Sequence, residues 1–262
     1  MIAFHYIQSG PHHLATSVDL PRHATNGRRV PVVIVVHGLT GQRLGRSYHL
    51  VEFGRALAKQ GIACVRFDQS GCGESTGDFI DVTLAQMAAD TRAVYDWVSQ
   101  QPWCMPRQIG FTALSLGALP AIATDAAVAS CGVSLWAPVY DMPRVFAATA
   151  KTGLRGILDG QGWVPYRGLQ IGKPFVDTLD TIDTTALLNE GSGPMLIFHS
   201  KDDDVVPFEE SDAYVARCRQ LDRPCQLVAF HHAGHDFSEY TDRAKVIAQS
   251  VAFFHSQMIR DN

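Results

Sequence analysis

The sequence predicts an α/β fold in which a mostly parallel central sheet is flanked by helices and carries a small insertion. Three observations lead to it. Val32-Val33-Ile34-Val35-Val36 is a continuous, β-branched apolar run, suited to a central strand covered on both faces. Further short apolar runs recur along the chain, separated by turn signals and by stretches of helical periodicity. The residues with chemical potential stand just after such runs, where the loops of a parallel sheet leave its C-terminal edge. With 262 residues the chain can build one sizeable core, here read as a single domain over 1–262 with an insertion at 141–190.

The elements follow in order. Residues 4–8 and 14–20 read as an opening antiparallel pair, 32–36 as a strand, 49–60 as a helix and 62–67 as a further strand. From Ala85 to Gln100 apolar residues repeat at helical spacing, with Met87, Thr91, Val94 and Val98 along one side. A strand ending at Leu114 and a helix after Ser115 come next, then a strand from Cys131 to Ala137. The middle, about 141–190, reads as irregular and is too long for an ordinary crossover loop. It holds Gly153, Gly156, Gly160, Gly162, Gly168 and Gly172, with Phe146, Trp163, Tyr166 and Phe175 among them. The Gly191-Ser192-Gly193 turn signal precedes a buried strand at 194–199, and 226–230 is the last strand.

Ser115 sits in Ala113-Leu114-Ser115-Leu116-Gly117, directly after an apolar run. A serine hydroxyl attacks a carbonyl only with help: a tight strand-to-helix turn presents the oxygen, and a histidine takes its proton. Small residues at 113 and 117 permit such a turn. Taken alone, a small-x-Ser-x-Gly pentapeptide is mostly chance; the later residues give it weight. Asp202, Asp203 and Asp204 follow the 194–199 strand, and either all three are solvated or one turns inward to hold a histidine. His235 follows the last strand, with Gly234 allowing a sharp bend before it. His231 and His232 nearby keep open a histidine-rich surface loop. The order serine, aspartate, histidine is that of the α/β-hydrolase triad, unlike the chymotrypsin or subtilisin orders. After Val36, His37-Gly38-Leu39-Thr40-Gly41 can bend so that the Leu39 amide, with the Leu116 amide, faces a developing oxyanion. A phosphate-binding loop is the competing reading, but neither glycine-rich phosphate pattern is present.

Together these stretches resemble the α/β-hydrolase family, and within it the bacterial feruloyl/cinnamoyl esterase branch grouped with serine aminopeptidase-like hydrolases. His37 to Arg43 resembles that branch's oxyanion loop. Arg66-Phe67-Asp68-Gln69-Ser70-Gly71-Cys72-Gly73-Glu74-Ser75 resembles its R-x-D-x-x-G-x-G-x-S loop, with Cys72 where histidine is common. His199-Ser200-Lys201-Asp202-Asp203-Asp204-Val205-Val206-Pro207 resembles H-G-x-x-D-x-x-V-P, with Ser200 for glycine, and Gly234-His235-Asp236-Phe237 matches the histidine loop. The resemblance covers about residues 5–255. It implies a triad of Ser115, Asp203 and His235, an oxyanion hole from Leu39 and Leu116, and substrate contacts from His37 and Gly38. It also makes 141–190 a cap over the site, where Trp163, Tyr166 and Phe175 either meet an aryl-acyl group or pack the cap onto the body.

Composition narrows the function classes. A formal charge of −4 gives no basic footprint for nucleic acid. No run approaches the roughly 20 apolar residues of a membrane span, and the first residues lack a signal pattern, so a cytoplasmic protein without stable membrane insertion is expected. Six scattered cysteines without a C-x-x-C pair favour reduced thiols over a disulfide framework. The adjacent pairs His12-His13 and His231-His232 lack an evident third ligand, so neither metal nor cofactor is expected. The expected partner is a small-molecule ester, met by a monomer or homodimer. A thioesterase, amidase or peptidase would use the same residues, and a non-catalytic binding protein would have lost one of them.

Overall fold

The computed structural model describes residues 1–149, 154–191 and 193–259; Gly153 and Ser192 of the sequence reading lie outside them. In chain order the strands are β1 (Ile2–Ser9), β2 (His12–Asp19), β3 (Val30–Val36), β4 (Ala63–Phe67), β5 (Cys104–Leu114), β6 (Val133–Trp136), β7 (Trp163–Tyr166), β8 (Leu169–Gly172), β9 (Met195–Ser200) and β10 (Cys225–Phe230). The helices are α1 (His49–Lys59), α2 (Leu84–Ser99), α3 (Ala118–Val128), α4 (Met142–Thr149), α5 (Leu154–Gln161), α6 (Lys173–Val176), α7 (Thr184–Glu190), α8 (Glu209–Gln220) and α9 (Tyr240–Met258).

Among the described residues the main sheet has the order β1-β2-β4-β3-β5-β6-β9-β10. β1 and β2 are antiparallel, as is the β2–β4 pair; from β4 to β10 every pairing is parallel. The expected α/β architecture is therefore present. Its cause is plain in β3, which is wholly buried. Val33 and Val35 join one core cluster with Leu50, Phe53 and Leu57 of α1 and Val246 and Phe254 of α9. Val32, Ile34 and Val36 join the opposite cluster with Val94 and Val98 of α2, Ile122 of α3 and Tyr214 of α8. A strand covered on both faces has no polar positions to alternate, which is why the run is continuous.

Met87, Thr91, Val94 and Val98 are all buried on α2, as their spacing predicts. Thr83 caps that helix, its side chain accepting the Gln86 amide at 3.1 Å. The 141–190 stretch is more regular than its sequence suggests. It contains α4, α5, an antiparallel β7–β8 hairpin, α6 and α7, all between β6 and β9. The hairpin turns through Arg167 and Gly168, at φ 49° and 84°, the left-handed pair of a tight two-residue turn. A third core cluster joins this segment to the body, through Val164, Ile171 and Phe175 on one side and Leu84, Met87, Leu116 and Leu119 on the other.

Candidate active site

Ser115 stands at the junction of β5 and α3, with φ at 51°. A non-glycine residue in the left-handed region is strained unless its surroundings hold it there. Three close approaches do so. The Ser115 carbonyl accepts the Val139 amide at 3.2 Å. A Cβ on Gly117 would lie 2.5 Å from the His37 carbonyl oxygen and 2.6 Å from that of Val36, so the helix start presses on the end of β3. A Cβ on Gly38 would meet the Ser115 Cβ at 3.0 Å. Ala113 is fully buried between Val36 and Leu135, where its small side chain suits the packed sheet.

The three adjacent aspartates have three different surroundings. Asp203 has a fully buried side chain. Its Oδ2 accepts from His235 Nδ1 at 2.8 Å and from His199 Nε2 at 3.2 Å. Its Oδ1 accepts the amides of Val205 and Val206, each at 2.9 Å. Burial pushes this carboxyl up, but hydrogen bonds from His199, His235 and the Val206 amide together hold it far below the usual carboxylate range. Asp202 instead accepts from the Ser200 hydroxyl and, at 3.0 Å, from the Gly234 amide, which ties it to the bend before His235. Asp204 makes neither contact. With Nδ1 of His235 donating to Asp203, its Nε2 keeps a lone pair. Ser115 and His235 line one cavity, and no hydrogen bond joins them among the described residues.

The His37–Arg43 loop is held from beneath. His37 Nε2 accepts the Gln69 amide at 3.0 Å and its Nδ1 donates to the Gly38 carbonyl at 2.8 Å. Burial lowers the His37 pKa and keeps the ring neutral, with both nitrogens spent inside the protein. His37 lines the cavity beside Ser115, as expected of a residue near substrate, and it also fixes the loop. Arg43 pairs with Asp68 and Glu74, and its carbonyl accepts Arg66, itself paired with Asp19 at 2.8 Å. Gln69 anchors the loop a second time, donating to the His37 carbonyl at 3.1 Å. Buried Asp90 fixes the next turn by accepting Ser70's amide at 2.8 Å and its hydroxyl at 3.0 Å. The Leu39 amide has no partner among the described residues. The Leu116 amide lies in the first turn of a helix, where N–H groups lack intrahelical acceptors.

Ser115 borders two cavities. One, of about 300 Å³, is lined by Gly38, Trp136, His235 and the arginines 46, 167 and 243. The other, of about 80 Å³, is apolar, with Leu116, Val139, Met142, Val164, Tyr166 and Val206 in its wall. Leu39 and Ser115 line both. Of the three cap rings singled out in the sequence, only Tyr166 reaches a cavity beside Ser115. Phe175 is buried in the cluster that joins the inserted segment to the body, and half-buried Trp163 lines neither cavity. A one-turn helix holds Phe175 inward, and Trp163 begins a strand whose next residue, Val164, points to the body. Sequence reasoning missed His199, Gln69, His49, Arg167 and Arg243. His199 and Gln69 had a signal, since each lies in a quoted motif, the one running to Pro207 and the other starting at Arg66.

A model of the alpha/beta hydrolase family matches residues 33–249. Est1E from Butyrivibrio proteoclasticus, solved with ferulic acid bound, superposes with a TM-score of 0.83 at 24% identity, over 96% of this chain and 98% of that one. An uncharacterised protein of Mycobacterium tuberculosis is 28% identical over 230 residues, 88% of this chain and 71% of its own length. A lysophosphatidylserine lipase of Danio rerio is 26% identical over 190 residues, which is 68% of this chain and 45% of the lipase.

Proposed function

Because the chain belongs to the alpha/beta hydrolase family, we propose that it hydrolyses carboxylic esters through an acyl-enzyme on Ser115. The observation that carries this reading is the buried His235–Asp203 contact at 2.8 Å on the cavity that Ser115 lines. His235 Nε2 takes the proton as Ser115 Oγ bonds to the carbonyl carbon. The carbonyl oxygen gains negative charge and faces the Leu39 and Leu116 amides; losing one such donor costs about 3 kcal/mol of transition-state stabilisation. The carbon–oxygen bond to the leaving group then breaks, and His235 returns its proton to that oxygen. Water, deprotonated by His235, repeats the attack and frees the acid and Ser115.

The apolar cavity supports acyl groups of small to medium size, aryl-acyl groups among them. Tyr166 and Phe146 are the rings such a group would meet. A fluorophosphonate should label the protein at Ser115, and Ser115→Ala should abolish both labelling and turnover, by about 10⁶ in kcat. Cys72 is the nucleophile to exclude. Burial pushes its thiol up to about 12, so little thiolate is present near neutral pH. An adduct on Cys72, or full ester turnover by Ser115→Ala, would overturn the assignment.

A further inference from the structure

We propose that this site selects esters whose alcohol portion carries an anionic group, a carboxylate or a phosphate. The inference rests on the ester-hydrolysis reading above. His235 must reach the oxygen it protonates, so the leaving alcohol lies in the cavity that His235 lines. The apolar cavity, whose wall lacks His235, is left for the acyl group. The two halves of the ester thus meet very different surfaces.

The leaving-group cavity is cationic in a chain of net negative charge. Three arginines line it, and Asp236 is the one carboxylate in its wall. Asp236 pairs with Arg46. That leaves Arg243 and Arg167. Arg243 comes from α9, has a side chain 18% exposed, and meets Glu52 only at 3.5 Å, outside the cavity wall. Arg167 comes from the cap hairpin, lies over the Tyr166 ring at 5.6 Å, and faces no carboxylate among the described residues. Three guanidinium groups thus line one cavity against two paired carboxylates, Asp236 and Glu52, and Arg167 is the one left without a carboxylate partner among the described residues. His49 supplies an independent observation. It lines the same cavity and is 5% exposed; its Nδ1 donates to the Arg46 carbonyl at 2.7 Å, while its buried Nε2 has no partner. Its Nδ1 contact holds the Arg46 backbone at the cavity rim.

The test compares three butyrate esters: 3-butyryloxybenzoate, 3-butyryloxyphenyl phosphate and the neutral methyl 3-butyryloxybenzoate, each corrected for its uncatalysed rate. A charge-assisted contact supports an anionic-to-neutral ratio in kcat/KM of about 10 or more at low salt, shrinking as ionic strength rises. Arg167→Gln and Arg243→Gln should each lower that ratio several-fold. Arg167 is exposed at a hairpin turn, so its substitution carries little risk to folding. The larger of the two anionic ratios identifies carboxylate or phosphate as the preferred group. A ratio of one or less for both anions, or a ratio unmoved by both substitutions, overturns the proposal. Calorimetry with 3-hydroxybenzoate, 3-hydroxyphenyl phosphate and methyl 3-hydroxybenzoate separates this failure from failure of the hydrolase reading. Should no ester turn over and Ser115 resist labelling, tighter binding of the anions that is lost in Arg167→Gln upholds the anion site. Equal binding of all three refutes it.

Discussion

Asp203 accepts four hydrogen bonds from a fully buried position, and two consequences follow at the scale of the single residue. Asp203→Asn would offer His235 a donor or a neutral acceptor in place of a carboxylate and disturb its tautomer. Such a change lowers kcat by about 10⁴ with the fold retained, as steady-state kinetics should show. The second consequence is for stability. The folded pKa is depressed, so the carboxylate contributes stability above the unfolded carboxyl pKa of about 4, and loses it as pH falls from there towards the folded value. Thermal unfolding between pH 7 and pH 3 should therefore show a shallower acid decline for Asp203→Asn than for the parent. The motif resemblance pointed to this residue, but the three aspartates alone do not distinguish themselves. What sorts them is which one meets the Val205 and Val206 amides, a matter of loop geometry that composition does not encode. His37 shows the same limit: its place beside a glycine-rich loop does not disclose that the Gly38 carbonyl and the Gln69 amide take its two ring nitrogens.

Between elements, the close contact of the 3-10 turn at 115–117, which leads into α3, with the end of β3 is set by Gly117. A methyl there collides with two backbone carbonyls rather than with a flexible side chain, so something must shift. Gly117→Ala should cost about 1–3 kcal/mol in denaturant unfolding, and lower kcat further because Ser115 and the Leu116 amide move with the helix. Most elements were readable because both faces of the sheet are covered, which leaves long apolar runs, and because α2 has one buried side. β5 was seen only in part. It begins at Cys104, but Met105-Pro106-Arg107-Gln108 carries a proline and polar residues on a partly exposed stretch opposite the register shift near Val30. The hairpin was hidden for another reason. Each strand has four residues, buries little more than Val164 and Ile171, and turns on a left-handed Arg167 that no turn preference announces.

For the molecule as a whole, the segment inserted between β6 and β9 is pinned at its take-off by Glu210 on α8. This buried carboxylate accepts the Tyr140 and Asp141 amides at 2.7 Å each and pairs with Arg144. Thr184 closes the other end by donating to the Tyr140 carbonyl at 2.7 Å. Glu210→Ala strands those donors, so it should cost about 1–3 kcal/mol and speed hydrogen exchange in 141–149 before it affects the sheet. No helix among the described residues is long and apolar enough to cross a membrane. The proposed chemistry draws its nucleophile and base from side chains, so turnover should persist after prolonged treatment with a strong chelator. Loss restored by a divalent ion would refute that expectation.

Tyr166 and Arg167 are neighbours in the chain, yet they belong to opposite walls: one to the apolar cavity, the other to the cationic one. A single peptide unit thus speaks to both halves of an ester while Ser115, Asp203 and His235 lie elsewhere in the chain. Val164 and Ile171 hold the hairpin to the body, while its turn is free to vary. On the proposed reading, substitutions at 166 and 167 alone would retune acid and alcohol preference together without touching the nucleophile or its base.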